Sequence, residues 1–437
     1  MLILQNALPW VLRDARARVA AVLDEIDRLK QSEFPYEHPL KALEILEKRF
    51  RDDQSQLGKL HAGSTSDVVH NACRNSLHAL AAYMPLLGFI LRATNVRNAF
   101  EAYGPLQRLA NKVVGADAKL IISSEWSLHP FNYLVSPTIN NNLNINLNKF
   151  VFIGLPAPES SNPLLLSLAG HELSHFIWKH ENLLGKYSKK IEQAIWDELL
   201  GKRWKDYSAI YPTHKKDDLK SGQLYVPKQL SLASTWAGLQ TEELFCDFMG
   251  LKMFAEAYLH AFAYLLSPGA TVKRPLSYPN IERRVAHLVQ AADEWGISVP
   301  EKYAAAFAKQ DEPDNHTAAL FVSIADTVSS SLVKELVDSV ATIAKEKEVP
   351  SKDPEKVKRI VEGIRESVVP VRESASLIDI MNSGWECNRD ETLWRGVPQI
   401  EGSSESEYQK NRERVLRDIM LKSMEISEVY ERLKEQS

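Results

Sequence analysis

The chain has 437 residues, enough for two or three domains with packed cores. Hydrophobic residues make up 44% and charged residues 25%, the balance of a soluble globular protein, and a formal net charge of −4 gives no basic footprint for nucleic acid. Its three cysteines, Cys73, Cys246 and Cys387, are far apart and odd in number, which argues against a disulfide framework and fits a reducing, cytoplasmic setting.

The opening residues, MLILQNALPW, carry no basic stretch before an apolar run and do not read as a signal peptide. The most apolar windows, Leu77–Leu91 and Leu251–Ser267, are broken by Pro85 and His78 and by Lys252, Glu256 and His260. Both fall short of the roughly 18 residues needed to span a bilayer and read as buried helices, with no integral membrane segment expected.

In chain order, residues 1–115 read as a helical N-terminal region. Leu12, Val19, Val22, Leu23, Ile26 and Leu29 follow a 3.6-residue period, and Lys41–Phe50 and Val68–Leu91 are similar. Lys119–Ser123 is a short apolar run. Leu143, Ile145 and Leu147 alternate with Asn144, Asn146 and Asn148, the period of a half-buried strand that continues through Phe150–Ile153. The asparagines suggest one face or edge in water, and an exposed edge could pair with an extended peptide.

Gly154–Pro163 reads as a proline-rich loop, and Asn162-Pro163 as a capped helix start. Residues 181–228 read as an insertion with a basic, loop-rich middle at Tyr211–Gly222. One helix is expected over Ser234–Leu266. Lys309–His316, with Pro313, reads as a linker, followed by helices near Ala318–Lys345, Pro354–Glu366 and Tyr408–Lys434. These readings divide the chain into 1–115, a core at 116–308 and a helical C-terminal region at 309–437. The fold class is mainly α with a small β-sheet (α+β).

The chemistry concentrates at Ala169-Gly170-His171-Glu172-Leu173-Ser174-His175. Histidines four apart on a helix share a face, so His171 and His175 can hold one Zn²⁺, with Glu172 beside the metal to take a proton from its water. This is the HExxH spacing of zinc peptidases. A catalytic zinc needs a third protein ligand. A metzincin would place a histidine at position 181, which is Glu181, and His180 falls one residue short. Glu243 is the better candidate, with Asp247 four residues on as acceptor for the other ring N–H of a ligand histidine. Their neighbours Leu244, Phe245, Phe248 and Met249 are apolar, so these carboxylates need a partner. Glu242 is a rival ligand with Cys246 where an acid would be wanted, and Cys246 itself is a soft alternative. Gly250 would let the second helix approach the first.

HExxH on one helix and ExxxD on the next resembles the gluzincin metallopeptidases, and more closely the HtpX and CAAX-prenyl-protease family. His171 to His180 is similar to that family's HELGHxxxxH, with Ser174 in place of glycine. The resemblance spans roughly 140–290. It implies a zincin-like core, one zinc per chain, a peptide or protein substrate, and a late His-Pro…Arg element that stabilises the oxyanion. Here Tyr278 stands in place of that histidine, and Arg284 falls at the arginine position; the resemblance offers either as the oxyanion donor. The implied activity is a zinc metalloendopeptidase. The long helical flanks offer a surface for a protein partner or for self-association. They also support an alternative reading, a regulatory or sensor protein that binds or cleaves one dedicated partner.

Overall fold

The computed structural model describes residues 8–60, 64–94, 99–125, 131–133, 147, 149–220, 228–267, 273–366, 375–390 and 405–436. It is mainly helical with one small sheet, the α+β class expected. Two compact units form: one from Met1–Asn111 and Gly115–Ser161, the other from Lys112–Val114 and Asn162–Ser437. This differs from the three segments expected. The strands group with the N-terminal helices, and residues 309–437 group with the part of the chain that carries the HExxH helix.

The first unit contains α1 (Leu8–Lys30), α2 (His38–Lys59), α3 (Ser66–Leu91) and α4 (Phe100–Val113), then β1 (Lys119–Glu125), β2 (Phe131–Tyr133) and β3 (Phe150–Pro156). The periodic apolar positions Leu12, Val19, Leu23, Ile26 and Leu29 are buried in one cluster with Leu43, Leu46, Phe50, Tyr83 and Phe89. Phe152 of β3 meets Phe89 of α3 edge-on, with ring centroids 5.6 Å apart.

The sheet order is β1-β3-β2, parallel for β1–β3 and antiparallel for β2–β3. Over Phe152–Ile153 this corrects the edge-strand reading. β3 is central, fully buried, and extends to Pro156 where a loop was expected. Its stretch Phe152–Gly154 is paired on both sides, so no peptide can add there. Asn144, Asn146 and Asn148, which prompted that reading, lie outside the described residues.

The second unit begins at the cap. The Asn162 side chain accepts from Leu164 N at 3.2 Å, as the Asn-Pro signal predicts, but Pro163–Leu168 winds as a 3₁₀ helix. The α-helix proper, α5, spans Ala169–His180. There follow α6 (Leu183–Leu200), α7 (Trp204–Ile210) and α8 (Lys216–Lys220), so the insertion is more helical than its composition suggested. Next come α9 (Lys228–Phe254), α10 (Glu256–Leu266), α11 (Ile281–Glu294), α12 (His316–Ser331), α13 (Val333–Glu346), α14 (Pro354–Arg365), α15 (Leu377–Arg389) and α16 (Glu405–Gln436). α9 is the central post: α5, α6, α11, α12 and α13 all pack along it.

The single helix expected over Ser234–Leu266 is two helices, broken at Ala255. That residue has φ 50° and ψ −132°, a region alanine rarely adopts. The break is held by Asn382 of α15, whose amide donates to Phe254 O at 3.0 Å and whose Oδ1 accepts from Ala257 N at 3.0 Å. Similarly, Ala318–Lys345 divides at Leu332 into α12 and α13. No described helix is long and apolar enough to cross a membrane.

Candidate metal centre

The site is built where α5 crosses α9. Gly170 on α5 and Gly250 on α9 meet at this crossing: a Cβ on Gly170 would stand 3.2 Å from the Gly250 Cα and closer still to the Phe254 ring. The close approach expected from Gly250 is present. Ser174, fully buried, donates its hydroxyl to Gly170 O. Leu173 and Ile177 bury the remainder of this face, leaving His171, Glu172 and His175 together at one side.

His171 uses both ring nitrogens. Its Nε2 lies 3.3 Å from Glu243 Oε2 and its Nδ1 lies 3.0 Å from Asp247 Oδ1. His175 is arranged in parallel, with Nε2 3.8 Å from Glu243 Oε1 and Nδ1 2.7 Å from Glu242 Oε1. The Glu243 carboxylate therefore faces the Nε2 atoms of both histidines, while separate carboxylates take both Nδ1 atoms. The two imidazoles are only 12% and 11% exposed.

Asp247 is fully buried. It accepts from Arg284 through Nε and through Nη2 at 2.8 Å, and from the Tyr258 hydroxyl at 2.8 Å. Arg284 Nη2 also lies 3.4 Å from Glu243 Oε2. Burial by itself would raise the Asp247 pKa, but the Arg284 charge and hydrogen bonds, with His171, hold it well below the carboxylate range. Glu243 is lowered in the same way: burial opposes ionisation, and His171, Arg284 and His175 outweigh it. Burial disfavours a charged His171, yet its bonds to Asp247 and Glu243 raise it to about 10. The result is a buried cluster in which carboxylates face the nitrogens of both imidazoles, the donor types that a metal site uses.

Two donor sets share the histidines. Nitrogens of His171 and His175 and the Cys246 sulfur lie within 4.8 Å of one another, while Glu243 oxygens face both Nε2 atoms. Geometry favours Glu243, whose two carboxylate oxygens lie 3.3 Å from His171 Nε2 and 3.8 Å from His175 Nε2. With both Nδ1 atoms committed to Asp247 and Glu242, the Nε2 atoms are left to face Glu243. Two imidazole nitrogens and a carboxylate oxygen fit Zn²⁺.

Glu172 follows His171 on α5 and is 5% exposed. Tyr278, 42% exposed, lies with its ring centroid 5.6 Å from the Arg284 guanidinium carbon. The nearby Glu243 charge and then burial push its phenol up to about 12, which keeps it a neutral donor. Arg284, by contrast, is 8% exposed and clasped by Asp247. His180 is 69% exposed at the end of α5 and reaches only its neighbour Glu181, at 3.9 Å.

Two further residues complete the site, and of these only Tyr258 had no signal in the sequence. Glu242, weighed there as a rival ligand, instead orients His175. Tyr258 comes from α10, returned to Asp247 by the break at Ala255. No protein family, curated protein or solved structure matches this chain.

Proposed function

We propose that this chain is a zinc-dependent metalloendopeptidase with a zincin-like core, holding one Zn²⁺ through His171, His175 and Glu243. The observation that carries the reading is the division of labour among the carboxylates: Glu243 before both Nε2 atoms, Asp247 and Glu242 behind the Nδ1 atoms. A carboxylate behind a histidine fixes its tautomer and ring orientation and makes it a better ligand. A zinc ion held by these donors would polarise a peptide carbonyl and lower the pKa of water beside it.

The residues then divide the work. Glu172 takes a proton from the attacking water as its oxygen bonds to the carbonyl carbon, and returns that proton to the departing amine as the C–N bond breaks. Tyr278, neutral and 42% exposed beside Arg284, donates to the oxyanion. Arg284 keeps Asp247 ionised and in place, and through it His171. Purified protein is expected to hold about one zinc per chain. Glu172→Gln should keep the zinc and lose cleavage of a fluorescein-labelled casein; undiminished cleavage by that variant would reject the mechanism.

One observation favours a narrower version of the same activity. The helices that follow α11 in the second unit offer a surface for a single dedicated protein partner as the substrate. A comparison of cellular cleavage products between wild type and Glu172→Gln separates the two readings, by one altered protein or by many.

A further inference from the structure

Tyr278 sits on a strap, residues 273–280, and the strap is fastened at nearly every residue. Lys273 makes an isolated parallel bridge with Asp311. The Arg274 side chain is fully buried, paired with Asp326 of α12 and 3.4 Å from Glu312. Leu276 O accepts from the Gln240 amide at 3.3 Å, and Gln240 Oε1 in turn accepts from Ser329 Oγ at 3.0 Å. Tyr278 N donates to Pro275 O at 3.3 Å, closing a turn that ends in the Asn280 cap of α11. Ile281 N donates to Gln310 Oε1 at 3.1 Å.

This investment is not explained by stability. A buried ion pair is roughly neutral relative to well-packed apolar side chains, and Arg274 leaves its Nε buried with no partner among the described residues. What such a pair supplies is direction. Gln240 lies three residues before Glu243, one helical turn away on α9, and is fully buried. The helix that presents Glu243 is therefore also the helix that holds the strap carrying Tyr278. Asp326 and Ser329, one turn apart on α12, hold it from the other side.

We propose that Gln240 and Arg274, with Ser329 and Asp326 behind them, are positioning residues that pin the strap so that Tyr278 stays against the Arg284 guanidinium, which itself reaches Glu243. The inference rests on the peptidase reading for its consequence, and on geometry alone for the pinning. The two are tested separately.

For the pinning, 3-fluorotyrosine is placed at position 278 of the full chain and its ¹⁹F resonance recorded. Wild type should give a single narrow line. Gln240→Met should shift and broaden it or split it, and Arg274→Lys, which keeps the charge, should restore most of the wild-type line relative to Arg274→Met. An unchanged line in Gln240→Met overturns the pinning. Should Arg274→Met fail to fold, Gln240→Met decides alone.

For the consequence, Gln240→Met should lower kcat on fluorescein-labelled casein about 10- to 100-fold, with KM and zinc content unchanged. In a Tyr278→Phe background the same substitution should cost less than about 2-fold, because its effect passes through Tyr278. Additive losses overturn the positioning role. If zinc-loaded wild type cuts no casein, the general-peptidase reading has failed, and the ¹⁹F result still stands or falls separately.

Discussion

Gly170 and Gly250 face each other across the helix crossing, and a Cβ on Gly250 would lie 2.5 Å from the Tyr258 ring. That ring carries the hydroxyl bonded to Asp247, so the absent side chain at Gly250 sets the position of a bond at the centre of the site. Gly250→Ala should cost about 1–3 kcal/mol by overpacking. It should also weaken zinc binding about 10-fold, by displacing a partner of Asp247. Denaturant unfolding and competition with a chelator measure the two; full zinc affinity in Gly250→Ala would show that Tyr258 does not matter to the metal.

Asp247 and Glu242 stand in matching positions behind the two histidines but differ in what else they hold. Glu242→Gln keeps the shape and should reduce zinc affinity about 10- to 100-fold, with little loss of stability, since its side chain is 20% exposed. Asp247→Asn should do this and more. It leaves the buried Arg284 without its partner, a change worth about 3–5 kcal/mol. Equal stability of the two variants in urea would contradict the role given to Arg284.

Cys246 tests the choice of third ligand. Cys246→Ala removes a buried thiol and should leave about one zinc per chain, whereas Glu243→Ala should lose it. The Co²⁺-loaded wild type should show no thiolate-to-metal charge-transfer band. Such a band, abolished in Cys246→Ala, would move the ligand assignment to sulfur.

What could be read from the sequence follows from the range of each signal. His171 and His175 are fixed by a four-residue spacing on one helix, so their shared face was legible. Glu243, Asp247 and Gly250 were legible for the same reason, being periodic positions of a single apolar helix. Glu242 was weighed only as a rival ligand, because the sequence places it beside Glu243 and does not say which histidine nitrogen each acid meets. Tyr258 was invisible because the turn that returns it depends on Asn382, more than a hundred residues away. The strand was recognised from its apolar run, but whether its edges were free depended on β1 and β2.

The break at Ala255 is maintained against local preference. A non-glycine residue in such a conformation costs about 1–3 kcal/mol, and the Asn382 side chain holds the break by satisfying both freed backbone groups. Ala255→Gly should therefore stabilise the protein by about 1 kcal/mol while zinc affinity stays the same. Asn382→Leu should destabilise it by about 1–3 kcal/mol, because Phe254 O and Ala257 N are left buried and unpaired. A loss of stability in Ala255→Gly would mean that the backbone there carries no strain.

The acid sensitivity of the second unit should trace in part to His260. Its ring stacks on Trp385, with centroids 5.2 Å apart and planes 21° apart, and the Arg389 guanidinium carbon lies 5.7 Å from the same Trp385 ring. Burial, and then the Arg389 charge, lower its pKa from the ordinary 6.5 to about 4, with Glu256 opposing. Between those values the unfolded chain binds a proton that the folded chain refuses, so stability rises with pH across this window. Read downward, stability from this group is intact above about 6.5, declines as the pH falls toward 4, and changes no further below it. His260→Phe keeps the stacking and removes the titration, so its urea midpoint should depend less steeply on pH between 6.5 and 4 than that of wild type. Parallel profiles for the two proteins would show that His260 titrates alike in both states, and would remove the desolvation assigned to its contact with Trp385.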